Sequence, residues 1–181
     1  EIATPAALSC VDRDAIRVFL RRCQDSNSGG YRMHAGGETD TRGCYTALAV
    51  AHLLGLLDTE LTTGVGDFVT RCQTHEGGIG GEPGAEAHGG YTFCGLAAAV
   101  LCDQADQLDL PELLHWLVQR QGAVEGGFNG RTNKLVDGCY SFWQGGAFPL
   151  MSLSVGALLR AMPAMSNTPA EAGAGAAAGA A

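Results

Sequence analysis

The sequence predicts an all-α fold in which helical hairpins stack into an α-solenoid or part of an α/α toroid. Three observations carry this expectation. The stretches "RRCQDSNSGGY", "TRCQTHEGGIG" and "QRQGAVEGGFN" resemble one another, and their glutamines Gln24, Gln73 and Gln121 are spaced by 49 and 48 residues. The copies hold a segment with apolar residues on one face and a segment that is apolar all round. Glycine-rich stretches separate the two kinds. About three hairpin repeats of 48–49 residues are therefore expected.

In the first copy, "DRDAIRVFLRRCQ" sets Ile16, Phe19, Leu20 and Cys23 at helical spacing with charges opposite, which predicts an outer helix with one wet face. "NSGGYRMHAGGETD" cannot continue a helix, and its glycines supply positive-φ turns that reverse the chain. "GCYTALAVAHLLGLL" is apolar on every side and predicts an inner helix surrounded by protein. The second copy repeats the order: an outer helix with Leu61, Val65, Phe68, Val69 and Cys72 on one face, the loop "EGGIGGEPGAEAHGG", and the inner helix "GGYTFCGLAAAVLC". The third copy brings the loop "EGGFNGRTNKLVDG". The repeat domain is expected over residues 1–160. Residues 161–181, which include "SNTPAEAGAGAAAGAA", carry no pattern for burial and are expected to be disordered.

The chain of 181 residues suits one domain, and 11 Lys+Arg against 19 Asp+Glu give a net charge of -8. That balance disfavours nucleic acid and anionic membrane surfaces as partners. Its seven cysteines sit mostly in apolar runs, as reduced thiols of a cytoplasmic protein do. The opening "EIATPAALSC" lacks the layout of a signal peptide, and position 1 is Glu, so a missing upstream segment is expected. The apolar stretches are too interrupted for a membrane span.

Aligning the repeats on Tyr45, Tyr91 and Tyr140 places Arg42, His88 and Asp137 at one position and Cys44, Gly90 and Cys139 at another. If neighbouring inner helices run parallel, these unlike residues face one central space, where helix N-termini favour anions. Asp137 and Cys139 are either two ligands of a zinc ion or a helix cap beside a small packed thiol. Arg131 and Lys134 in "GRTNK" either grip a phosphate or diphosphate or form a solvated loop. His88 either donates to the same anion or caps a turn. Tyr91, Phe93, Tyr140, Phe142 and Trp143 either line an apolar tunnel for a lipid or belong to the core.

From about residue 12 to about residue 150, the motifs "MHAGGETDTR", "CQTHEGGIGGEPGAEAHGGYTFCGLAA" and "EGGFNGRTNKLVDGCYSFW" resemble the protein prenyltransferase β family, and within it the farnesyltransferase branch. The resemblance implies an α/α toroid whose inner helices surround a funnel. It implies a heterodimer with a helical α subunit that transfers farnesyl from farnesyl diphosphate to the cysteine of a C-terminal CaaX motif. Asp137 and Cys139 correspond to two of three protein zinc ligands. His88, Arg131, Lys134 and Tyr140, with Gly89 and Gly90, correspond to the grip on the isoprenoid diphosphate. Arg42, Tyr91, Cys94 and Trp143 correspond to the wall against the isoprenoid. The catalytic roles fall to Asp137, Cys139, Tyr140 and Lys134, with Cys139 a ligand and not the attacking group. The form "LVDGCYSFWQGG" looks closer to the farnesyl than to the geranylgeranyl members.

The chain also departs from that pattern. The third zinc ligand of the family is a later histidine, whereas His34, His52, His75, His88 and His115 all precede the Asp137–Cys139 motif. Three repeats make an open arc and not a closed ring, so the isolated chain is expected to be inactive. A catalytically incompetent repeat protein that binds a lipid or a partner is the alternative, as is a geranylgeranyltransferase β subunit. The Mg2+ dependence seen in the family is left open.

Overall fold

The computed structural model describes residues 4–161, so all but the first residue of the expected tail lies outside it. Helix α1 (Pro5–Leu8) precedes the first outer helix, α2 (Arg13–Cys23), which Asp12 caps by accepting from Ala15 N at 2.9 Å. The first glycine-rich loop holds a two-stranded antiparallel ribbon, β1 (Tyr31–Arg32) and β2 (Thr39–Asp40), that the sequence did not suggest. The inner helix α3 (Thr41–Leu53) follows. The second repeat comprises α4 (Thr59–Thr62), α5 (Val65–Cys72) and the inner helix α6 (Gly89–Leu101). A short 3-10 turn (Ala105–Gln107) leads to the third outer helix, α7 (Leu110–Val118), and then to α8 (Cys139–Ala161), which carries Pro149 in its interior.

Inner helix α6 packs against α3 on one side and α8 on the other. Every residue from Thr92 to Ala99 is buried, as expected for a segment apolar all round. Helix α3 differs because it lies at the edge of the arc, and Val50 and Leu53 are exposed. Leu48, Leu61, Phe68, Leu96, Leu113 and Leu117 fill the space between inner and outer helices. Cys23, Cys44, Cys72 and Cys94 are also buried, and burial pushes the Cys44 thiol up to about 12.

The repeated glutamines join the hairpins. Gln24 Nε2 donates to Thr63 O at 3.0 Å, and Gln73 Nε2 donates to Asp109 O at 3.0 Å while Asp109 N donates back to Gln73 Oε1 at 2.9 Å. A second set of links runs at the other layer: Thr41 N donates to Gly81 O at 3.0 Å, and Gly89 N donates to Gly130 O at 2.8 Å. No helix among the described residues is long and apolar enough to cross a membrane.

One expected element is broken in two. The apolar set Leu61, Val65, Phe68, Val69 and Cys72 does not lie on one helix, because Gly64 (φ 79) interrupts it between α4 and α5. The cause is a close approach by the first loop: a Cβ on Gly29 (φ 84) would lie 2.2 Å from Gly64 O. Two backbones meet there with no room for side chains.

Replacing Gly29 with Ala should therefore destabilise the fold by roughly 3–4 kcal/mol, combining left-handed strain with the backbone clash. Gly36 (φ 75) has nothing within 4 Å of its missing Cβ, so Gly36→Ala should cost only roughly 1–2 kcal/mol. Urea denaturation of the two variants checks the difference, and equal midpoints would refute the close-approach explanation.

Candidate active site

Three side chains close the N-terminal ends of the inner helices. Asp40 Oδ1 accepts from Arg42 N at 2.8 Å and Gly43 N at 3.0 Å, His88 Nδ1 accepts from Gly90 N at 3.1 Å, and Asp137 Oδ1 accepts from Cys139 N at 2.9 Å. The counterpart of His88 and Asp137 in the first repeat is thus Asp40 and not Arg42. Alignment on the tyrosines is two residues out in that repeat. The residues that face one another are Tyr45, Phe93 and Phe142, each five residues after its cap. Ring centroids are 5.5 Å apart for Tyr45–Phe93 and 5.6 Å for Phe93–Phe142, so the inner helices run parallel at a common height.

Along that rim the sequence-predicted residues form a continuous row. The Arg42 guanidinium is bound to Asp40 through Nε at 3.0 Å and lies 5.3 Å from the centroid of the Tyr91 ring. Tyr91 stacks at a tilt on His88 with centroids 5.4 Å apart, and His88 Nε2 lies 2.9 Å from Tyr140 Oη. Gly130 leaves room for this contact, since a Cβ there would meet Tyr140 Cζ at 2.1 Å.

The cap fixes the state of the imidazole. Nδ1 accepts a backbone N–H and carries no proton, so neutral His88 is protonated on Nε2 and donates to Tyr140 Oη. The Tyr140 proton is then free to point at a ligand. Burial, followed by the nearby Arg131 charge, holds His88 below the usual histidine value. Arg131 is near enough to act on His88 and is ion-paired on the surface with Glu86 at 2.7 Å. Lys134 is exposed, and its ammonium has no hydrogen bond or ion pair among the described residues. Gly89 and Gly90 do not offer their amides to an anion. Gly89 N is spent on Gly130 O and Gly90 N on His88 Nδ1, so anion binding falls to side chains.

Asp137 and Cys139 are exposed neighbours at the start of α8. Hydrogen bonds from Cys139, its backbone amide first, hold the Asp137 carboxyl below the usual range. Desolvation, then the adjoining carboxylate, pushes the Cys139 thiol up. Carboxylate and thiol are donor types that zinc accepts, but a zinc ion takes about four donors. Among the described residues no third His, Cys, Asp or Glu joins them. The pair fits half of such a site.

The aromatic residues form a wall. Phe93, Cys94 and Ala97 make a small cluster apart from the main core, with Tyr45, Trp143 and Leu150 packed on it. Phe142 lies 4.9 Å from Trp143 between centroids yet is 63% exposed, which a core residue of that size would not be. A cavity of about 440 Å³ lies elsewhere, lined by Asp25, Glu60, Asp67 and Arg71 among others, and includes no rim residue. Sequence reasoning missed Asp40 and Glu86. The Asp just before the "TRG" helix start was a readable capping signal, whereas nothing in the sequence paired Glu86 with Arg131.

A family model described as the prenyltransferase alpha-alpha toroid domain matches residues 2–172, beyond the limit near residue 150 drawn from the motifs. The chain belongs to the prenyltransferase α/α-toroid family. Within this toroid family it is 62% identical over 138 residues to the protein farnesyltransferase subunit beta of Arabidopsis thaliana, covering 76% of this chain and 28% of the relative. The corresponding Pisum sativum subunit is 60% identical over 145 residues, covering 80% and 34%. The geranylgeranyl transferase type-1 subunit beta of Arabidopsis thaliana is 34% identical over 155 residues, covering 80% and 41%. Candida albicans protein geranylgeranyltransferase-I complexed with GGPP superposes with a TM-score of 0.67 at 28% identity, covering 87% of this chain and 51% of that one. The chain thus spans about a third of the length of these farnesyltransferase relatives.

Because His88 is held below its ordinary value, the unfolded chain takes up the proton first as pH falls. Its contribution to stability is full above about pH 6.5 and is lost as pH drops through the lowered folded value. Ring-nitrogen NMR should show the Nε2–H tautomer at neutral pH and a protonation midpoint under about 6.5. An Nδ1–H tautomer contradicts the capping bond, and a higher midpoint contradicts the effect of burial.

Proposed function

We propose that this chain is the catalytic-face portion of a zinc-dependent protein farnesyltransferase β subunit. With an α subunit it would move a farnesyl group from farnesyl diphosphate to the cysteine thiol of a CaaX sequence. The observation that carries this reading is the His88–Tyr140 hydrogen bond at 2.9 Å, which leaves a free hydroxyl proton on Tyr140, close to the Arg131 charge and next in the chain to the Asp137–Cys139 pair. Much higher identity to farnesyltransferase than to geranylgeranyl transferase β subunits favours the shorter lipid.

In this proposal the Tyr140 hydroxyl and Arg131 stabilise the charge that builds on the departing diphosphate, with Lys134 free to swing in. Arg131 would exchange Glu86 for phosphate oxygens. Phe93, Trp143 and Phe142 exclude water along the isoprenoid, with Arg42 and Tyr91 closing one end. Asp137 and Cys139 would hold zinc together with donors from outside the described residues, and the metal would keep the substrate thiol ionised at neutral pH. The new C–S bond forms at C1 as the C–O bond to diphosphate breaks.

A second reading, a lipid- or partner-binding module without turnover, is favoured by the lack of a third metal donor among the described residues. Zinc stoichiometry of the chain assembled with an α subunit separates the two: about one equivalent that Cys139→Ala abolishes favours the transferase, and none favours the module.

For the chain co-expressed with an α subunit, Cys139→Ala should lower farnesyl transfer to a CaaX peptide on the order of a hundredfold or more. It should leave farnesyl diphosphate affinity nearly unchanged, because Cys139 belongs to the thiol half of the site. Transfer at the parental rate would sink the metal assignment.

A further inference from the structure

Behind the rim lies an arginine that the proposed chemistry does not use. Arg120 follows the third outer helix and is only 8% exposed, yet no carboxylate forms an ion pair with it among the described residues. Its guanidinium lies 5.0 Å from the centroid of the Trp116 ring, and Nε donates to Trp116 O at 3.3 Å. Nη1 donates to Thr132 Oγ1 at 2.9 Å, and the Thr132 hydroxyl donates onward to Glu76 Oε2 at 3.2 Å. A guanidinium cannot shed its charge, so burying one without a direct counter-ion is costly and makes its few partners matter. The nearest carboxylate in this chain of bonds is reached through a single hydroxyl.

The route of those bonds is informative. Glu76 belongs to the loop of the second repeat, and Thr132 to the loop of the third, directly beside Arg131. Gly130, Arg131 and Thr132 are each tied back to the second repeat, through Gly89, Glu86 and Glu76. Of these three ties only the last is anchored on a buried charged side chain. The Arg131–Glu86 pair is exposed and therefore weak, so it can open to admit another anion. The Thr132 bond to a buried cation cannot be given up so cheaply.

We infer that Arg120, acting through Thr132 and Glu76, is a positioning residue that braces the 130–134 turn so that Arg131 is presented to the diphosphate beside His88 and Tyr140. The inference rests on the diphosphate role proposed for that rim. Arg120 touches no substrate itself. The residue between it and Glu76 must accept from a guanidinium and donate to a carboxylate at once, which a hydroxyl does and an aliphatic side chain does not.

Thr132 is exposed, so its variants leave the core intact. In the unliganded chain, Thr132→Val should speed hydrogen exchange of amides in the 129–136 segment about tenfold, and Thr132→Ser should leave it at the parental rate. In the chain co-expressed with an α subunit and titrated with farnesyl diphosphate, Thr132→Val should weaken binding about tenfold, and Thr132→Ser should restore it. Combined with Arg131→Ala, Thr132→Val should add nothing further. Unchanged exchange in Thr132→Val overturns the brace. Equal weakening with and without Arg131→Ala overturns its link to the diphosphate. A parent complex that binds no farnesyl diphosphate overturns the transferase reading instead, while the exchange measurement still judges the brace.

Discussion

The bond from the first amide of an inner helix to a glycine carbonyl of the next repeat fixes the height at which the helices stand. It occurs twice, from Thr41 N to Gly81 O and from Gly89 N to Gly130 O. The first amides of a helix have no partner within it, so lending them to a neighbouring loop costs the helix nothing. Level N-termini bring equivalent residues side by side, and the Tyr45–Phe93–Phe142 ladder is the direct result. Gly130 serves twice: its carbonyl accepts the link, and its missing side chain lets the Tyr140 ring cross to His88.

The same arrangement decides what kind of chemistry the rim can do. With Gly89 and Gly90 amides already engaged, the helix dipole still favours an anion, but directed donors must come from side chains. Those side chains separate by charge. His88, Arg131 and Tyr140 line the junction between the second and third repeats, while Asp137 and Cys139 occupy the turn that opens α8. Tyr140 stands next to Cys139 in the chain yet turns toward His88, because successive helical residues point about 100° apart. The cationic junction and the Asp137–Cys139 turn can thus adjoin without sharing a residue.

Much of this was legible in the residues. The glutamine repeat, the contrast between one-sided and all-round apolar segments, and the glycine-rich reversals gave the hairpins and their order, because each is a local signal with a short-range cause. The errors arose where the cause is tertiary. Nothing local says that Gly29 will press on Gly64 and split an outer helix. The tyrosine register failed in the first repeat because the residue opposite Phe93 is Tyr45, one aromatic standing for another. Arg120 belongs to no motif in the sequence, and only its burial beside Trp116 and its bond to Thr132 set it apart. Lys134 was grouped with Arg131 by spacing and by resemblance; its amide donates to Arg131 O at 3.3 Å across the turn at Asn133 (φ 59), and its ammonium has no hydrogen bond or ion pair among the described residues.

The two halves of the site differ in how much of the arc each requires. The anion half lies between α6 and α8, with His88 on one helix, Tyr140 on the other and Arg131 on the intervening loop, so the second and third repeats suffice to build it. The Asp137–Cys139 pair proposed for the metal stands at the start of α8 alone, with Asp137 two residues before the first helical residue, Cys139. Two donors leave a four-coordinate site half filled, and no further His, Cys, Asp or Glu joins them among the described residues. Binding of an isoprenoid diphosphate and activation of a thiol are therefore separable properties of this architecture. The side chains that the first proposal needs meet within these repeats, and those that the second needs are present only in part.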